Sequence, residues 1–151
     1  MNLQEYIRQK KELYNSLLSF IEDENADGET YFRTLNENIQ TNLNIFREDQ
    51  NNEELKSILH LVVMISNNHH RTTIFDQKIE QILLYFRTNI SQIFSNTEAY
   101  HFFKNNRRIL LFLIQNEMIT VNNEILDLIL NDTPQRHFFY PEIRSQLSEN
   151  N

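Results

Sequence analysis

The sequence predicts an all-α domain of six to eight helices, packed as antiparallel hairpins, with a solenoid-like stack as one form of that arrangement. Three observations predict it. One glycine and two prolines in 151 residues leave few breakers of regular structure. Apolar residues recur at steps of three and four, the period of a helix face. Residues that cap helix starts stand ahead of several of these stretches.

The elements follow in order. Leu3, Tyr6, Ile7, Leu13, Tyr14, Leu17, Leu18 and Ile21 form one helical stripe. It runs into the acidic stretch "EDENADGE", where Gly28 suits a left-handed C-terminal cap, so the first helix is expected to end near Asn25. "ETYFRTLNENIQTNLNIFRED" sets Tyr31, Phe32, Leu35, Ile39, Leu43 and Phe46 on a second stripe. Four later starts carry cap chemistry: Asn51 before Glu54, Thr73 before Asp76, Ser95 before Glu98, and Thr133 before Pro134. In each, a side-chain oxygen is offered to amides that have no partner in the first turn.

Two stretches are apolar on every side, Leu61 to Ile65 and Ile109 to Ile114, and belong at the centre of a helical core. A buried strand could give such short runs, and Val62 and Val63 suit one, but no alternating partner strand or hairpin turn stands nearby. "KIEQILLYFRTNI" and "NRRILLFLIQNEMI" rhyme, with Ile82 and Ile109 as matching points, as stacked helical hairpins do. The stripe Phe75, Ile79, Ile82, Leu83, Phe86 and Ile90 reads as core.

Composition bounds the function. A chain of 151 residues has the size of a single domain, residues 1–151, and buries enough surface to fold without a staple. The absence of cysteine removes disulfides, thiolate metal sites and cysteine nucleophiles, and fits an intracellular, cytoplasmic setting. Neither a signal-type apolar run nor a membrane span is legible. A net charge of −7 argues against nucleic acid, leaving two small basic spots, Arg8, Lys10 and Lys11, and Lys104, Arg107 and Arg108. Neither comes with the motifs of a nucleic-acid reader.

The candidate functional residues are Asn68, His69, His70 and Arg71, in "ISNNHHRTTIFDQ". Adjacent histidines cannot share a helix face, and no third ligand sits at metal spacing, so neither a metal nor a cofactor is expected. No nucleophile signature stands near them, so no catalytic residue is assigned and no enzyme is expected. The plain reading is a helix junction: Ser66 to Asn68 end one helix and Thr73 caps the next. The sharper one is a recognition turn for a protein partner. A hydrolase or small-ligand site around His69, His70 and Arg71 is the rival; it requires histidines converging on a deep polar pocket.

Other features have both a plain and a sharp reading. "HFFY", His137 to Tyr140, is either an exposed aromatic anchor or the last helix docking on the core. The acidic run Glu22, Asp23, Glu24, Asp27 and Glu29 lacks the alternating ligands and central glycine of a calcium loop and reads as solvated.

"ISNNHHRTTIFDQKIEQILLYF", "FKNNRRILLFLIQNEMIT" and "FFYPEI" resemble the helical region of unknown function that precedes the repeats in ankyrin-repeat proteins of parasitic protists. The resemblance covers residues 55–144. An asparagine content of 21 residues, with abundant Ile, Phe and Tyr, is compatible with it. The resemblance implies a helical scaffold that binds other proteins, with no catalytic residue. Recognisable repeats are absent, and "ILHLVV" only faintly echoes an ankyrin opening, so the chain is a short member or a fragment of a longer one. The partner's identity and the oligomeric state are not legible.

Overall fold

The structure, a computed structural model, describes residues 2–43, 48–69 and 72–149. They are helical throughout, with no strand among them: α1 (Leu3–Glu22), α2 (Gly28–Leu43), α3 (Glu48–Asn68), α4 (Thr73–Tyr85), α5 (Arg87–Ile93), α6 (Asn96–Phe103), α7 (Arg107–Gln115), α8 (Asn123–Leu130) and α9 (Thr133–Glu149). The described residues thus form nine helices rather than six to eight. The extra one arises at Phe86, where φ −92° and ψ 14° split one apolar stretch into α4 and α5. Phe86 is buried and has no side-chain cap, so neither a breaker nor a cap marks that split in the sequence.

Backbone contacts divide the chain into two compact units, Met1–Tyr85 and Phe86–Asn151. In the first, α1 packs on α3 and α4, and α2 packs on the same two helices. Leu17, Phe20 and Ile21 of α1 meet a core supplied by Phe32 and Leu35, by Leu55, Ile58, Leu59, Val62 and Ile65, and by Phe75, Ile79, Ile82 and Leu83. Phe20 stacks on Tyr31 at 4.4 Å between centroids, and Phe32 on Tyr85 at 4.7 Å. Lys78 is buried beneath them. Its ammonium donates to the Ala26 carbonyl at 2.9 Å and lies 4.4 Å from the Phe20 ring centroid, so a hydrogen bond and a cation–π contact compensate its loss of water.

The turn after α1 differs from expectation. The helix stops at Glu22, Asp23 takes an extended conformation, and Gly28 opens α2 instead of closing α1. Asp27 caps α2, accepting from the Glu29 amide at 3.1 Å and the Thr30 hydroxyl at 2.7 Å. Gly28 has no positive φ. A Cβ there would lie 3.3 Å from Gln81 Oε1 and 3.4 Å from Phe32 Cε2, so the small residue allows a close approach rather than a left-handed turn.

In the second unit α6 packs on α7 and α8, and α9 on α7 and α8. Phe103, Leu110, Leu113, Ile125, Ile129, Phe139 and Ile143 form its centre. The described residue with positive φ is Glu117, at 61°. Met118 N–H donates to the Leu113 carbonyl at 2.8 Å and Glu117 N–H to that of Ile114 at 3.2 Å, the paired bonds of a glycine-type helix end. A glutamate in that conformation costs about 1–2 kcal/mol relative to glycine.

Three helix starts also move. α3 begins at Glu48, placing Asn51 inside the helix. Thr72, not Thr73, caps α4 through the Phe75 amide at 3.1 Å. Asp132, not Thr133, caps α9 through the Gln135 amide at 3.2 Å, which puts Pro134 at the second helical position, where a missing N–H still costs nothing. The Ser95–Glu98 box forms as expected, each side chain bonded to the other's backbone amide at 3.2 and 3.1 Å. Pro141 lies inside α9 and leaves the His137 carbonyl without its helical donor. Phe46 lies outside the described residues.

Candidate functional site

Of the four residues singled out from the sequence, two are described. Asn68 is the last residue of α3 and is exposed. His69 follows it, its amide bonded to the Ile65 carbonyl at 3.2 Å. His70 and Arg71 lie outside the described residues. α3 ends at Asn68 and α4 opens at Thr73.

His69 is half-buried and held to the first helix. The Tyr14 hydroxyl and His69 Nε2 share a hydrogen bond of 2.8 Å, with the rings 6.2 Å apart. Tyr14 follows from the period of α1: it lies three residues before buried Leu17 on the same stripe and reaches the end of α3 because α1 packs on that helix. His60 is exposed on α3, and His101 on α6 lies edge-on to Tyr100 at 5.6 Å. Among the described residues no group of three histidine or acidic side chains converges as a metal would need. Nor is any helix there long and apolar enough to cross a membrane.

Tyr14 also forms one wall of an open groove of about 400 Å³. The remaining lining comes from Tyr6, Ile7, Lys10, Lys11 and Asn15 of α1, and from Leu61 of α3. Its walls are mainly apolar. Lys10 reaches across to Glu54 of α3 at 3.3 Å and lies 5.2 Å from the centroid of the Tyr6 ring. Both partners of that ion pair are partly shielded from water, and it links α1 to α3 beside the groove. Lys11 is exposed and has no carboxylate partner among the described residues. Arg8 is taken up by Glu12 at 2.8 Å and Glu5 at 3.7 Å along its own helix.

Sequence reasoning registered these residues separately, Tyr6, Ile7 and Tyr14 as core stripe and Lys10 and Lys11 as a basic spot. What it missed is their union in one groove. The usable signal was the overlap itself: two lysines interrupting an apolar stripe without changing its period.

The aromatic cluster near the end of the chain divides between its two readings. Phe139 is fully buried in the second unit, whereas Phe138 and Tyr140 are exposed, with the Arg107 guanidinium 5.9 Å from the Phe138 centroid. The acidic run serves local structure, Asp23 accepting from the Asn25 amide at 3.0 Å and Asp27 capping α2. In comparison with known proteins, no family model, no curated protein and no solved structure matches this chain.

Proposed function

We propose that the chain is a non-enzymatic protein-interaction or scaffolding module of the cell interior, built of helical hairpins. It would form the N-terminal helical part of an ankyrin-repeat-type protein. The observation that carries the interaction reading is the uncovered apolar half of α1 beside a groove with amines on its rim. Soluble proteins rarely leave such faces open without a binding role. The hairpin arrangement is supported by packing between consecutive helices, α2 with α3, α3 with α4, α6 with α7 and α8 with α9. The ankyrin association rests on the resemblance across residues 55–144. The cell-interior assignment rests on the lack of cysteine.

The test is a pull-down with the full chain as bait, in which the captured protein is identified by mass spectrometry and re-bound in purified form. A His69→Ala, His70→Ala, Arg71→Ala variant, checked by circular dichroism, runs beside wild type. Wild type is expected to retain a specific partner. Failure to retain any partner, together with hydrolysis of p-nitrophenyl esters that the variant loses, would replace this reading with a hydrolase site at the turn.

A further inference from the structure

We infer that the groove between α1 and α3 is the docking seat for an amphipathic helix of a partner protein whose apolar side is bordered by carboxylates. The inference rests on the interaction reading above and names its surface and the chemistry of its partner.

The stripe of α1 runs through Leu3, Ile7, Lys10, Tyr14, Leu17 and Ile21, with Tyr6 beside it. Its last turns are covered by the chain's own helices, and Leu17, Phe20 and Ile21 are at most 3% exposed. Its first turns are not: Leu3 is 73%, Tyr6 51% and Ile7 44% exposed. One face with one period is therefore built for burial along its length and buried over half of it. A helix presented to such a face through residues at i, i+3, i+4 and i+7 would complete it, as in helix-in-groove recognition.

Charge selects the partner's flanks. Arg8 is neutralised by Glu5 and Glu12, and Lys10 by Glu54, which leaves Lys11 as the charge at the rim with no carboxylate partner among the described residues. A carboxylate on an incoming helix would meet Lys11, and a lysine there would be repelled. A second copy of the chain offering its exposed Phe138 and Tyr140 fits poorly, because the Arg107 guanidinium lies 5.9 Å from the Phe138 ring centroid and would be brought towards Lys11. An anionic bilayer fits poorly too, since it draws on clusters of about 4–8 basic residues, and the chain carries a net charge of −7.

The experiment is selection of a displayed library of randomised amphipathic helical peptides against the full chain. Enriched peptides are then synthesised and titrated by fluorescence anisotropy against wild type, Ile7→Glu and Lys11→Glu. Both side chains are exposed, so the variants keep their helix content by circular dichroism. The expected result is peptides with Asp or Glu beside apolar anchors, weakened about tenfold or more by Ile7→Glu. Lys11→Glu weakens them less, and replacing the peptide's carboxylate with lysine restores that loss. Peptides indifferent to Ile7→Glu would overturn the groove while leaving the interaction reading intact, and no enrichment at all would count against both. Binding of wild type but not Ile7→Glu to phosphatidylserine vesicles would overturn it in favour of a membrane. A dimer in sedimentation that Ile7→Glu dissolves would overturn it in favour of self-association.

Discussion

The two halves of α1 have the same pattern and opposite surroundings. From Leu17 to Ile21 the stripe is sealed in a helix that packs on α3 and α4, and Lys78 spans its end to hold the Ala26 carbonyl. From Leu3 to Ile7 the same stripe faces solvent beside the groove. The difference teaches that amphipathicity states what a helix face could bury, not what buries it. In the covered half the apolar residues stabilise the fold; in the open half they contribute little to folding.

The largest effect expected from this contrast is in the core. Leu17→Ala should destabilise the chain by about 2–5 kcal/mol, because a fully buried leucine leaves a cavity. Ile7→Ala, on the same stripe, should stay within about 0.5 kcal/mol of wild type. Urea denaturation midpoints compare the two, and similar losses would break the contrast.

A smaller effect sharpens the boundary of the covered half. Lys78→Ala removes the donor to Ala26 and the stem packed under Phe20, and should cost about 1–3 kcal/mol by the same measurement.

The smallest concerns the turn leaving α1. The Thr30 hydroxyl holds the Asp27 carboxyl below its usual value of 3.8, helped by the Glu29 and Thr30 amides and the Arg33 guanidinium against a burial effect of opposite sign. The folded-state pKa is depressed, so the cap's ionic contribution is complete above the unfolded value and fades as pH falls through the folded one. Asp27→Asn keeps a capping oxygen but not the charge. Its stability should therefore fall less steeply below pH 3.8 than that of wild type, as followed by circular dichroism during acid titration.

Legibility varied with how local each cause was. The Ser95–Glu98 box was readable because both partners lie within one turn. The caps of α4 and α9 sat one residue earlier than read, since Thr72 and Thr73 are chemically equivalent and Asp132, the stronger cap, precedes Thr133. The break at Phe86 carried no local mark. The left-handed position fell on Glu117, not on Gly28, the chain's one glycine, so there the helix end overrides residue preference. At the candidate site, the sequence showed the His69 turn and the lysines of α1 but not the bond between His69 and Tyr14, 55 residues apart.

By itself the sequence determined the helical character of the chain, the apolar stripe of α1 and the capping box of Ser95 and Glu98. All of these depend on neighbours within a turn or two. Only the tertiary structure decided which part of the α1 stripe is covered, that Lys10 meets Glu54, and that Tyr14 holds His69. Those outcomes depend on where α3 and α4 pack after intervening helices, and a helical period carries no record of what arrives to cover it.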